Sequence, residues 1–479
     1  MPTYPVPIQP VPALTPPSHR RSLKDLMSPE AETPDAPGTD RQRAIADLEA
    51  QLARIPRAQR PHEHAALAYR LGLAHAEAPV GNPEDGLRRA LGYFDTAAAI
   101  FDPRQDPVEH ARVLNGSGAA RRALGDRARA AGLFERAADL LEGRDRDDER
   151  AGVLNNLGLV RSELGLLDEA IDACDAAVAL FDIATADGRR GRVAALHSRG
   201  SAQAANGTDE GLEAALTDFR LAATGLDAEE APYHHGLVYH SIGVTYTALA
   251  ARRPQERARF LAEAIAAFQE SLSVFMRTAF PFQHALVKYN LGLAWSNRGG
   301  LTNLRRALAC FEDAVALFDS RVHADAWRQS YSSLERTEKE LEVMAPGLTR
   351  ADHFAGLLAV VDVDERRWLT QERLTRMLAL PVENRRRSAL TELALASARL
   401  PYEEALAVMD AELSILIELP PEHLEPGLRA RFEANRRLET EEARECADRA
   451  LDQAVGDALQ GPQRISVRDF LYSLGWERP

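Results

Sequence analysis

Six glycines stand in the middle of apolar helical patterns: Gly72, Gly118, Gly158, Gly200, Gly243 and Gly292, at intervals of 46, 40, 42, 43 and 49 residues. A glycine inside a helix costs about 1 kcal/mol relative to alanine, so its near-regular recurrence needs a packing reason. Close approach of a neighbouring helix is that reason. A register of this kind predicts an array of repeats, which also suits a chain of 479 residues, longer than one core usually holds.

A second signature follows each glycine in the next helix. Phe94, Phe134, Cys174, Phe219, Phe268 and Phe311 are each followed three residues later by a small residue: Ala97, Ala137, Ala177, Ala222, Ser271 and Ala314. Seven residues after the first member comes another bulky side chain: Phe101, Leu141, Phe181, Leu226, Phe275 and Phe318. The spacing i, i+3, i+7 marks one helix face, large then small then large. Between the two signatures lie turns of varying length, among them "LGD" at 124–126, "LGLLDE" at 164–169 and "ANGTDEG" at 205–211. Length variation confined to one loop is what a stacked helical hairpin tolerates. The pattern therefore predicts a solenoid of helix pairs from about residue 60 to 320.

These residues resemble the tetratricopeptide repeat family. Leu154, Leu157 and Gly158 match that family's first helix, and Ala170, Cys174 and Ala177 its second. Leu291, Gly292 and Trp295 with Ala307, Phe311 and Ala314 repeat the match, as do Ile242, Gly243 and Tyr246 with Ala264 and Phe268. The likeness covers roughly 260 residues, with a period of about 42 rather than the usual ~34, as in the long-period bacterial type. Arg121 and Arg161 replace the family's tyrosine, and the copy at Gly72 is irregular. The resemblance implies an all-α, right-handed solenoid of stacked antiparallel helix pairs, with first helices lining a concave groove.

Groove positions follow from that register. In the third repeat Asn155, Leu159 and Ser162 form a stripe beside the packing face. The residue three before each glycine is Asn115, Asn155, His197, His240 or Tyr289, and two before it are Asn156, Ser198, Ser241 and Asn290. All are hydrogen-bonding groups, and an amide can pair with the backbone of an extended peptide without reading its side chains. The bland alternative is that these side chains tie the first helices together. Basic residues are scarce here, with only Arg112 and Arg122 of the second repeat nearby, so the family's basic clamp for a terminal carboxylate is not expected. The candidate peptide-binding set is Asn115, Arg122, Asn155, Asn156, Ser162, His197, His240, Tyr289 and Asn290.

Composition narrows the partner. A net charge of −14 argues against a general nucleic-acid surface. Only three of 58 basic residues are lysine (Lys24, Lys288, Lys339), which points to a GC-rich bacterial genome. Cys174, Cys310 and Cys446 are scattered, so neither a disulfide framework nor a zinc site is expected, and a reducing cytoplasm fits. No signal-peptide core and no membrane-length apolar run is evident. "YHHGLVYH" spaces His235 and His240 five apart, missing the i, i+4 pair of a helical metal site. P-loop, GxGxxG, GxSxG and HExxH motifs are missing, so no catalytic residue, metal or cofactor is assigned.

The flanks differ. Residues 1–39 hold ten prolines and are expected to be disordered, with an island "SHRRSLKDLM" at 18–27. Residues 40–345 form the repeat solenoid, including a capping helix at about 324–344. Residues 346–462 form a C-terminal helical module, in which "RLTRMLALPVE" and "ELSILIELPPE" align at an offset of 39 and Pro381 and Pro420 end helices. Residues 463–479 form a short amphipathic tail, N-capped by Ser466 and stopped at Gly475. The expected function is a cytoplasmic protein-interaction scaffold holding a peptide or partner domain, with no nucleic acid and no membrane. The alternative is a regulatory or accessory subunit of a neighbouring protease or biosynthetic enzyme, and whether copies of the chain assemble is left open.

Overall fold

The computed structural model describes residues 37–77, 83–225 and 231–477. The expectations for the proline-rich residues 1–36 and for Leu226 lie outside the described residues. Among the described residues there are 21 α-helices and no strand. The chain divides into two compact units that part between Asn290 and Leu291.

The first unit opens with α1 (Pro37–Arg54), which starts three residues earlier than the composition suggested because proline suits a first helical turn. Helix pairs follow: α2 (Pro61–Glu77) with α3 (Pro83–Ala98), α4 (Pro107–Ala123) with α5 (Arg127–Leu141), and α6 (Asp147–Glu163) with α7 (Leu167–Leu180). Then come α8 (Ala186–Ala205) with α9 (Asp209–Thr224), and α10 (Pro232–Arg252) with α11 (Arg257–Val274). Helix α12 (Pro281–Arg298) carries the last register glycine. Helices α4 and α6 end at left-handed glycines, Gly125 (φ 83°) and Gly165 (φ 78°), where the amide two residues past the helix returns to a carbonyl in its last turn. Thr185 and Thr208 cap α8 and α9 by accepting from Gly188 N (2.9 Å) and Gly211 N (3.0 Å).

The two sequence signatures are the two sides of one contact. A Cβ on Gly118 would stand 2.7 Å from the Phe134 ring, on Gly200 2.8 Å from Phe219, on Gly243 2.5 Å from Phe268 and on Gly292 2.7 Å from Phe311. Gly72 meets Phe94 in the same way, so the copy that looked irregular packs like the others, and Gly158 meets the Cys174 sulfur. The flat ring needs the bare backbone. In return each phenylalanine is almost wholly removed from water, a gain of about 2 kcal/mol or more per side chain.

A third periodic feature lies eight residues before the glycine. His64, His110 and His284 each place Nδ1 on the carbonyl nine residues back, Ile55 O (2.8 Å), Phe101 O (2.7 Å) and Phe275 O (2.8 Å). A carbonyl only accepts, so Nδ1 carries the proton and donates. Each bond satisfies an orphan carbonyl just beyond the preceding helix, α1, α3 or α11. Proline stands three residues before each histidine (Pro61, Pro107 and Pro281), so "PxxH" marks the feature in the sequence.

Among the described residues α2 touches α4, α4 touches α6, α6 touches α8 and α8 touches α10, whereas no comparable contact is seen between the second helices. The first-helix face is therefore the inner side of this unit.

The second unit begins with the rest of α12 and continues through α13 (Leu301–Leu317), α14 (Ala324–Met344), α15 (Arg350–Val360), α16 (Val363–Leu378), α17 (Glu383–Ala398), α18 (Tyr402–Glu418), α19 (Leu424–Arg436), α20 (Glu441–Ala458) and α21 (Gly461–Ser473). Helices α16 and α18 end just before the Leu-Pro dipeptides, as expected. From α15 onward a helix packs mainly on the second one after it. The tail helix begins at Gly461, five residues before the expected cap Ser466, and its Val467 and Leu471 join Trp476 in the cluster around Leu428, Leu451 and Val455. Gly475 (φ 87°) does stop it.

Candidate functional site

The candidate residues lie along the first-helix layer and split into two groups. One group is a ladder of side-chain hydrogen bonds between neighbouring first helices. Asn156 Nδ2 on α6 donates to Asn115 Oδ1 on α4 (3.0 Å). His197 Nε2 on α8 bonds Ser241 Oγ on α10 (2.9 Å), and Asn290 Nδ2 on α12 donates to His240 Nε2 on α10 (2.8 Å). The rule is constant: the residue three before one glycine pairs with the residue two before the next. Two rungs are not made among the described residues: Gly116, two before Gly118, has no side chain to offer, and Ser198 turns back to the Ala194 carbonyl of its own helix (2.9 Å), leaving Asn155 Oδ1 enclosed without a partner.

Burial grades along the layer. Asn156, His240, Tyr289 and Asn290 are buried, with 1% of the last three exposed. Asn115, Asn155, Ser162 and His197 are half-buried, together with Leu159 and Ser201. These six form an uncharged strip across α4, α6 and α8.

The nearby cations are engaged. Arg122 Nε donates to Glu163 Oε1 (2.8 Å), and Arg112 grips both oxygens of Glu149 (2.7 and 2.8 Å). That bidentate pair raises the Arg112 pKa and lowers that of Glu149, the mutual hydrogen bond being the main cause in both. Arg199 joins three helices by bonding Asp218 on α9 (Nε to Oδ2, 2.7 Å) and Asp175 on α7. Arg161, in the place of the family's tyrosine, binds Glu135 (2.7 Å).

His197 and His240 are neutral. Burial drives His240 down to about 3 and His197 to about 4, with His197 acting on His240 and His234 on His197. The geometry agrees. The Asn290 amide can only donate, so His240 Nε2 must accept, the ring proton sits on Nδ1, and a second proton would face the amide hydrogens. Burial also pushes the Cys174 thiol up to about 12, which leaves it unreactive.

Among the described residues no group of three or more His, Cys, Asp or Glu is placed to hold a metal ion, and no helix is long and apolar enough to cross a membrane. In the second unit a cavity of about 340 Å³ is floored by Phe354, Met377, Leu380 and Leu393. Its arginines are committed to acids: Arg373, 4.1 Å over the Phe354 ring, binds Glu312, and Arg376 binds Asp313 (2.7 Å).

No protein-family model matches the sequence, and none of the curated proteins matches it. Among solved structures, the chain is similar to a signal-transduction ATPase with a tetratricopeptide repeat sensor from Pyrococcus horikoshii, at 14% identity and a TM-score of 0.32, covering 74% of this chain and 53% of that one. The chain thus spans about half the length of that protein. Yeast Tom70 is also similar, at 11% identity and a TM-score of 0.21, over 86% of this chain and 96% of that one. At such scores the fold class rests on the hairpin geometry itself. The hairpins are tetratricopeptide-like.

Proposed function

We propose that the chain is a protein-interaction scaffold, a long-period bacterial tetratricopeptide-like protein of the cytoplasm whose first-helix layer holds an extended segment of a partner protein. Binding without bond-making is the mechanism. The observation that carries the reading is the half-buried, uncharged strip of Asn115, Asn155, Leu159, Ser162, His197 and Ser201 on the inner side of three consecutive hairpins. Amide, hydroxyl and imidazole groups at repeat spacing suit a peptide backbone, which also repeats and is also neutral. Asn156, His240, Tyr289 and Asn290 act from behind, fixing the spacing of the helices that present the strip.

The test separates contact from support. Partners captured by the wild-type chain and by an Asn155→Ala/Leu159→Arg variant are compared, with the thermal midpoint of both recorded. Loss of the wild-type partner at an unchanged midpoint is expected. Equal recovery from both proteins would remove the strip from the binding surface.

A further inference from the structure

In the second unit one face of α14 is acidic. Glu335, Glu338 and Glu342 stand at i, i+3 and i+7, with Lys339 among them. After the helix Gly347, at φ 75°, donates its amide N–H to Glu342 (3.2 Å), and a capping box of Thr349 and Asp352 starts α15. The turn brings Leu348, Arg350 and His353 together with the acidic face around a cavity of about 350 Å³. That volume lies at the lower end of the ~300–1,000 Å³ of small-ligand sites.

Two observations define what suits the cavity. The charges do not balance: Arg350 binds Glu338, whereas Glu335 and Glu342 have no cationic partner, and Lys339 no carboxylate, among the described residues. The surplus is negative. The second observation is His353, which is 4% exposed and lines the cavity, yet has Nδ1 enclosed without a partner and no ring hydrogen bond to a described residue. Burial, with the Arg305 guanidinium next, holds its pKa below the ordinary value, so at neutral pH the ring is uncharged and keeps a lone pair. A buried ring without a partner is a cost that a hydrogen-bonding ligand removes.

The chemistry of the ligand follows. Among the described residues no three acids or histidines converge as a metal ion requires, so a bare divalent ion does not fit. A cation for this cavity must spread its charge and carry several N–H groups. An alkylguanidinium does both: it is planar and weakly hydrated, it holds its donors in a fixed fork, and its stem suits Leu348.

We infer that this cavity binds a guanidinium group, with Glu342 accepting from its N–H fork, the His353 ring accepting from a further N–H, and Glu335 adding to the negative field. The site goes beyond the peptide reading of the first-helix strip and stands without it.

The test titrates the full chain, ¹⁵N-labelled at histidine, with n-butylguanidinium, with N-acetyl-arginine N-methylamide and with n-butylurea. The His353 ring signal is assigned from the spectrum of His353→Gln. Saturable binding of a guanidinium that moves this signal is the expected result, and the neutral urea of the same shape should give none. Glu342→Gln, which keeps an acceptor for the Gly347 amide, should weaken binding by about tenfold or more. Glu340→Gln makes the same charge change at an exposed position of α14 outside the cavity and should leave binding unchanged. Binding of the blocked arginine would make an arginine side chain of a partner the source, and binding of butylguanidinium alone a free small molecule. No saturation by either guanidinium, equal binding of butylurea, a His353 signal that stays in place, or equal affinities of the Glu342→Gln and Glu340→Gln chains overturns the inference.

Discussion

The glycine hairpins and the C-terminal helices are both all-α, yet they are held together differently. In the hairpins a phenylalanine ring lies against the bare backbone of a facing glycine, repeat after repeat. In the C-terminal helices that register is gone. A Cβ on Gly356 would meet the flexible end of Arg305 and one on Gly427 the Leu416 methyls. What remains there are apolar clusters without a repeat and ion pairs between helices, Arg306 with Glu365 (2.6 Å), Arg376 with Asp313 and the buried Arg431 with Glu412. A ring on a glycine has no adjustable part, so the sequence must repeat it; a guanidinium reaches its acid along several routes, so the sequence need not.

Four measurements sharpen that contrast. The largest effect is expected at Arg431, whose side chain is 5% exposed and whose partner Glu412 is 10% exposed. Arg431→Leu strands a buried carboxylate and should cost about 3–5 kcal/mol in urea unfolding, and adding Glu412→Leu should recover most of it. Failure of the double variant to recover would show that the pair is not the glue of this region. Next, Gly200→Ala drives a methyl into the Phe219 ring and should cost about 1–3 kcal/mol despite the better helix propensity of alanine. An unchanged midpoint would mean that the ring contact is soft.

The third expectation concerns acid. His240 in the folded hairpins titrates near 3, well below its unfolded value of about 6.5. Below pH ~6.5 the unfolded chain therefore takes up a proton that the folded chain refuses. Its stabilising effect is complete above about pH 6.5 and is lost as the pH falls towards 3, about 2 kcal/mol of it by pH 5. Unfolding midpoints at pH 7.5 and 5.0 test this, and His240→Gln should flatten the difference. The smallest effect is a gain. Gly132 on α5 has nothing within 4 Å of a Cβ, so Gly132→Ala should stabilise by about 0.5–1 kcal/mol, the opposite sign to Gly200→Ala.

Much of the fold was legible because its contact is stereotyped. The six glycines and the six bulky residues after them are separate signals in the sequence, and the structure pairs them one to one. The histidine of "PxxH", bonded to the carbonyl nine residues back in three of the repeats, is a further sequence signal independent of the glycines and rings. The candidate site was legible by position but not by state. Nothing in "NNLGL" distinguishes Asn156, buried and bonded to Asn115, from Asn155, half-buried with its oxygen enclosed.

What the sequence by itself determined is the repeat: where each hairpin lies, which face is buried and where helices stop, because periodicity, proline and glycine act through local backbone geometry. Only the tertiary structure decided which polar side chains of the first helices face one another and which end of each amide is left over. Those are properties of neighbours 41 to 50 residues apart, and a side chain's free donor or acceptor is settled by the partner it happens to meet.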